Sequence, residues 1–110
     1  MINDKVLSLI GLAKKAGKCK AGEFSVEAEI KAHKARLVIV ALDASDNTKK
    51  HYSDMCSYRN IPIVYYSDKD TLGRCIGCEE RAAAVILDDG FASGILKAYE
   101  RNQSGSEVIE

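Results

Sequence analysis

The chain has 110 residues, 46% of them hydrophobic and 29% charged, a size and balance that suit one domain around one core. Sixteen Lys and Arg offset sixteen Asp and Glu, which excludes a uniformly basic coat, and no apolar run approaches the roughly 20 residues that cross a bilayer. The neutrality hides an asymmetry: residues 1–36 hold eight Lys/Arg against four Asp/Glu, and residues 61–110 hold five against nine. On charge alone this fits either a basic face on a neutral protein or ordinary solvated helix faces.

Ile2, Val6, Leu9, Ile10, Ala13 and Ala16 recur at helical spacing, with Asn3 as the N-cap and Gly17 as the stop, and predict a first helix over about 3–16. This amphipathic start, with Asp4 and Lys5, is not that of a signal peptide, so a cytoplasmic protein with no membrane partner is expected. A short extended piece leads to Gly22 and a second helical pattern through Phe24, Ala28 and Ala32, with Val26 and Ile30 beside it. Phe24 belongs to that apolar set and is expected to be buried. Leu37 to Leu42 is a six-residue apolar run rich in β-branched residues, the mark of a strand covered on both faces, and it points to a parallel sheet with helices on both sides. Asp43 to Lys50 follow, then a third helix to about Tyr58. Ile61 to Tyr66 is the next strand, with Pro62 near its start. Ser67 or Asp68 caps a short helix holding Thr71 to Ile76, Ala83 to Leu87 form a further strand, and Phe91, Ile95, Leu96 and Tyr99 mark the last helix. One domain over residues 1–101 is expected, with 102–110 as a disordered tail. The alternation of strands and helices predicts a three-layer α/β/α sandwich.

Sites in open α/β sheets lie at the carboxyl ends of strands, which here carry Asp43, Asp68, Asp88 and Asp89. Each precedes a helix or a glycine turn, where capping accounts for it. The chain also lacks a P-loop, a GxGxxG fingerprint and a Ser-His-Asp set, and His33 and His51 read as surface residues on helices. A non-enzymatic role is expected. Cys75-Ile76-Gly77-Cys78 is a CxxC, and zinc or redox use of Cys75 and Cys78 is one alternative reading. A second ligand pair is missing, however, and the motif does not open a helix straight after a strand. No metal or cofactor is therefore expected, and the four thiols read as reduced and mostly buried.

The segment ALDASDNTKK, residues 41–50, carries the strongest functional signal. Ser45 or Asp46 caps the helix that follows. Asn47, Thr48, Lys49 and Lys50 add donors to its first turn, where lysine opposes the helix dipole. Hydroxyls, amides, free helix N–H groups and ammonium groups together suit a phosphate backbone. Gly22-Glu23-Phe24-Ser25 is a second helix start, flanked by Lys14, Lys15, Lys18 and Lys20, and Gly22 permits close backbone approach.

The stretches LIGLAKKAGKCKAGE and KARLVIVALDASDNTKK, the pair Asn60-Ile61-Pro62 after Cys56, and Leu72-Gly73-Arg74-Cys75-Ile76-Gly77 occur in an order and spacing that resembles the L-seven-Ae ribosomal protein family, most closely its short bacterial members. The likeness covers about residues 4–100. It implies RNA binding, and a mixed four-stranded sheet in place of an all-parallel one. The resemblance further implies recognition of the kink-turn, a sharply bent internal loop with tandem G·A pairs, by the helix start after the glycine and two neighbouring loops. Carried over, these are Gly22, Glu23, Phe24 and Ser25; Asp43, Ser45, Asn47, Thr48, Lys49 and Lys50; and the loop Cys78 to Ala82 with Arg81, supported by Arg74. The family pattern G-x-N-E-x-x-K reads guanine edges with Asn and Glu and holds the backbone with Lys. This chain has Phe24, Ser25 and Ala28 there, which removes a bidentate reader worth about 1–3 kcal/mol of discrimination. Glu79 and Glu80 add charges that repel phosphate, whereas an exposed Phe24 would offer a stacking platform. The expectation is a monomeric RNA-binding protein of the ribosome or another structured RNA. Lys18, Lys20, Lys49 and Lys50 would anchor phosphates, and Glu23, Phe24, Ser25 and Asn47 would touch bases. The other alternative is a protein-interaction module on the same fold.

Overall fold

A computed structural model describes the backbone of residues 4–108 and the side chains of residues 4–102. In chain order the elements are α1 (Lys5–Lys15), β1 (Cys19–Ala21), α2 (Glu23–Lys31), β2 (Leu37–Val40), α3 (Asp46–Arg59), β3 (Ile63–Tyr65), α4 (Lys69–Cys75), β4 (Ala83–Ile86) and α5 (Asp89–Val108). The four strands form one sheet in the order β1-β4-β2-β3. β2 pairs parallel with β3, and β4 pairs antiparallel with both β1 and β2. The sheet is thus mixed, as the family resemblance implies, and not parallel throughout. The apolar run of β2 reports burial of both faces, which helices supply whatever the direction of the neighbouring strand.

Alternation along β2 builds the two halves of the core. Leu37 and Ile39 pack with α1, α4 and α5 through Val6, Ile10, Leu72 and Ile95. Val38 and Val40 pack with α2 and α3 through Val26, Ile30, Tyr52 and Cys56. This is the expected three-layer sandwich. No helix among the described residues is long and apolar enough to cross a membrane.

Most helix starts carry the side-chain caps their sequences announce. Asp4 accepts the Leu7 N–H at 2.9 Å and opens α1; Asn3, the expected cap, lies outside the described residues. Ser45 accepts from the Thr48 N–H at 3.1 Å, Asp68 from Thr71 at 2.7 Å and Asp88 from Phe91 at 3.0 Å. Each such cap stabilises by about 1 kcal/mol. The backbone of α5 runs helical to Val108, through the stretch read as a disordered tail; side chains beyond 102, and residues 109 and 110, lie outside the described residues.

Helix α2 corrects one expectation. Two stripes compete on its nine residues, and Val26 with Ile30 is the one that faces the core, both fully buried. Phe24, Ala28 and Ala32 face out, and Phe24 is 87% exposed. Two branched side chains bury more apolar area than two alanines, and one aromatic at the first turn does not reverse that balance.

The topology creates two unlike ends. β1, β2 and β3 run the same way and β4 runs against them, so the connections leaving the first three strands emerge together beside the start of β4. The N-termini of α2, α3 and α4 meet at this upper pole. The C-termini of α1, α2 and α3 return to the opposite, lower pole, where α5 begins. α5 climbs back up, and Asn102 Nδ2 donates to the Tyr66 hydroxyl at 2.9 Å.

Candidate nucleic-acid interface

The upper pole is built by cross-ties between its connections. Gly22 takes φ +95°, a backbone conformation that favours glycine, and its N–H donates to Ala83 O at 3.1 Å. A Cβ at Gly22 would stand 3.9 Å from Arg81 Nε, which places the Arg81 side chain over the start of α2. Arg81 is itself held: its N–H donates to Lys69 O at 3.0 Å and Nη1 donates to Glu80 O at 2.9 Å. The loop that carries Arg81 packs onto α4 so closely that a methyl at Gly73 would lie 2.6 Å from Glu79 C and 2.9 Å from Glu80 Cα. Glycine is required there by lack of space, not by backbone angle. On the other side, Ala41 N–H donates to Ala82 O at 2.8 Å, Leu42 N–H to Ser67 O at 2.7 Å, and Asp43 Oδ1 accepts the Lys69 N–H at 2.8 Å.

Tyr52 holds the tips of α2 and α3 side by side. Its ring is fully buried, and its hydroxyl donates to Glu23 O at 3.4 Å. Burial first, then the nearby Glu23 and Glu27 carboxylates, push its pKa well above the usual tyrosine range. One residue earlier, His51 Nε2 lies 2.9 Å from Glu27 Oε2. Tyr52 was not among the expected site residues, although its spacing of four from Cys56 marks it as the inner face of α3.

Of the residues expected to act together, Gly22, Glu23, Phe24, Ser25, Asp43, Ser45, Asn47, Thr48 and Arg81 lie at the upper pole. Ser45 and Thr48 largely satisfy each other, with Ser45 Oγ 2.9 Å from Thr48 Oγ1. Lys49 and Lys50 open onto the β3 side of α3, where they line a shallow depression with Leu42, Ser53, Asp54 and Tyr65; Lys50 pairs with Asp54 at 3.2 Å. Arg74, in the last turn of α4, pairs with Asp70 at 3.0 Å and borders a groove with Asp4, Ser8 and Thr71. Lys20 pairs with Glu29 at 2.7 Å. Lys18 is at the lower pole, its carbonyl accepting the Leu87 N–H at 2.8 Å. The four expected lysine anchors therefore do not form one cluster. A strand rises about 3.3 Å per residue, so residues two and four before Gly22 recede down the sheet and away from the tip.

The pole is also not basic. Glu23, Asp46, Glu79 and Glu80 are exposed there. Asp68 is engaged as a cap, and the Thr71 N–H and hydroxyl hold its carboxyl below the usual range. Acids at helix N-termini favour folding through the dipole, which accounts for Glu23, Asp46 and Asp68; Glu79 and Glu80 lie in the loop between α4 and β4.

The CxxC thiols point to backbone oxygens: Cys75 Sγ donates to Leu7 O at 3.0 Å and Cys78 Sγ to Ile76 O at 3.8 Å. Burial raises the Cys75 pKa, pushes Cys19 up to about 12 and Cys56 to about 11. Such thiols are poor nucleophiles. Among the described residues no group of three or more His, Cys, Asp or Glu stands together as metal ligands would.

Comparisons with known proteins agree with this architecture. A protein from Bacillus subtilis (strain 168) named RNA-binding protein YlxQ is 40% identical over 92 residues, covering 84% of this chain and 92% of its own. A protein of the same name from Enterococcus faecium is 42% identical over 88 residues, covering 80% and 84%. Among solved structures, a Bacillus halodurans protein described as of unknown function superposes with a TM-score of 0.85 at 34% identity, over 89% of this chain and 99% of that one. The Giardia lamblia 15.5kD RNA binding protein shares the fold at a TM-score of 0.74 and 23% identity, over 91% and 86%. The model of the ribosomal protein L7Ae/L30e/S12e/Gadd45 family matches residues 4–97. A match over most of the chain, with relatives at 40% identity, settles the assignment: the chain belongs to the ribosomal protein L7Ae/L30e/S12e/Gadd45 family.

Proposed function

We propose that this protein is a monomeric, non-enzymatic, cytoplasmic RNA-binding protein that takes structured RNA of the kink-turn type, with the ribosome as the expected source of that RNA. The observation that carries the reading is the pairing of two helix N-termini, α2 and α3, with an aromatic ring in the first turn of α2, Phe24, left 87% exposed two residues past Gly22. Exposing a phenylalanine forfeits about 1.5–3 kcal/mol of burial, so the position serves something other than the core. The names of the YlxQ relatives and the family itself favour RNA as that partner.

The mechanism differs from a purely electrostatic grip. Free backbone N–H groups in the first turns of α2 and α3 donate to phosphate oxygens. Phe24, where the family pattern has a guanine-reading asparagine, stacks on an unpaired base of the bend. Arg81, over Gly22, and Lys49 supply the nearby cations. Because acids at the pole outnumber the cations beside it, binding there follows salt only weakly, unlike a lysine-lined groove.

The test is a titration of two labelled RNAs of the same composition, one folded as a kink-turn and one annealed as an unbroken duplex. The bent RNA should bind at least about tenfold more tightly, and Phe24→Ala should remove most of that margin. Equal affinity for the two would refute the kink-turn reading. Binding of neither, with a protein partner captured through Phe24, would make the chain a protein-interaction module.

A further inference from the structure

The lower pole gathers the positive charge that the upper pole lacks. Lys14 and Lys15 close α1, Lys18 precedes β1, Lys31 closes α2, His33 and Lys34 follow it, Arg36 enters β2 and Arg59 ends α3. The acids at this end are Glu29 in the last turn of α2, paired with Lys20 at 2.7 Å, Asp88, which caps α5 through the Phe91 N–H at 3.0 Å, and Asp89, 3.2 Å from Arg36. Cations at helix C-termini ordinarily answer the dipole, but three C-termini present only about −0.5 of a charge each. Two or three lysines would answer that. Seven Lys and Arg residues stand here.

Their arrangement is not diffuse. Arg36 and Arg59 line one cleft of 450 Å³ together with His33, Asn60 and Asp89. Lys18, Arg36 and Pro62 sit at the lower ends of β1, β2 and β3 in a sheet ordered β1-β4-β2-β3, so these ends span about 14 Å of sheet edge at 4.8 Å per strand. That matches the length of a few extended nucleotides. Beside the cleft, Tyr58 is 84% exposed, and the Arg59 guanidinium lies 5.4 Å from its ring centroid. Charge alone fits an anionic membrane or an acidic protein equally well. A flat exposed ring with a guanidinium on its face, continuous with a basic cleft, fits a base and its phosphate.

We propose that the lower pole is a second RNA site, separate from the helix tips, that takes a short single strand with phosphates on Lys18, Lys34, Arg36 and Arg59 and a base on Tyr58. It goes beyond the proposed recognition of bent RNA and stands whether or not the upper pole binds. With both sites in use, the protein would hold a folded RNA element at one end and a single strand at the other.

The test is fluorescence anisotropy of the full chain with a labelled single-stranded adenine oligonucleotide about 10 nucleotides long. Arg36→Ala with Arg59→Ala should weaken binding about tenfold and flatten the slope of log K against log salt by roughly 1.4. Lys34→Ala, at an exposed position that does not disturb folding, should flatten it by roughly 0.7. Tyr58→Ala should weaken binding about fivefold while leaving the slope in place. Phe24→Ala, which removes a ring the upper pole could offer to an unpaired base, should change this probe's affinity far less than the arginine double variant does, so a failed upper-pole reading and a failed lower-pole one give different results. An unchanged slope in the arginine double variant overturns the proposal. So does a loss of binding in Phe24→Ala as large as that in the arginine double variant, or binding to phosphatidylserine vesicles that the oligonucleotide does not displace.

Discussion

The two poles of this sandwich share two helices, α2 and α3, and they carry opposite chemistry. The upper pole holds the N-termini of α2 and α3, exposed acids, and an unburied phenylalanine. The lower pole holds their C-termini, a cleft lined by two arginines, and an arginine resting on an exposed tyrosine. Helix dipoles draw acids to the first kind of end and bases to the second, so folding already biases the charge before any ligand is considered. The lesson is that a surface of helix tips competes with its own stability when it recruits lysines. In this chain the upper pole is left with N–H groups and an exposed ring, while cations in excess of what the dipoles need accumulate below.

That contrast can be broken or sharpened by substitution. The largest effect is expected from Tyr52→Ala, which empties a fully buried site between α2 and α3 and should cost about 3–5 kcal/mol of stability in urea unfolding. It should also splay the upper tips while leaving Arg36 and Arg59 in place, so residual folded protein should keep oligonucleotide binding and lose bent-RNA binding. Phe24→Ala is next. It should weaken bent RNA by about 1–3 kcal/mol and leave unfolding within about 0.5 kcal/mol of the parent; a stability loss comparable to the binding loss would show that the ring packs on the fold after all. Ser45→Ala removes the α3 cap and should lower stability by about 1 kcal/mol, with faster amide exchange in the first turn of α3 and none of that change in its last turn.

The smallest effect is alkaline. Tyr66 donates to Asp4 Oδ2 at 2.6 Å, and burial first, then that hydrogen bond, pushes its pKa up to about 12 from an ordinary 10.0. A raised folded pKa favours the neutral hydroxyl, so its contribution is complete below pH 10 and is lost as pH climbs through about 12. Thermal melts should therefore fall across that window, and Tyr66→Phe should flatten the fall. Because Tyr66, Asp4 and Asn102 meet at the upper end, exchange should quicken there before it does around Arg36.

Much of the fold was legible because it rests on local rules. The β-branched run of β2, the glycine before α2, and the short polar side chains before α3 and α4 each answer to a neighbour within four residues, and each sits where those rules put it. The exposure of Phe24 was not legible. Its helix offers two stripes, and only the sheet beneath decides that Val26 and Ile30 are the inner one. The place of Lys18 was hidden for a different reason. It is near Gly22 in sequence, but β1 carries the chain away from it along the sheet.

By itself, then, the sequence determined the kinds and order of the elements, the layered class, and the family, since these follow from periodicity, capping and motif spacing. Tertiary structure alone decided that β4 runs antiparallel between β1 and β2, and from this come the two poles. Strand direction is set by long-range pairing, which no local pattern encodes, and it is what sorts helix tips to one end and most of the N-terminal half's lysines to the other.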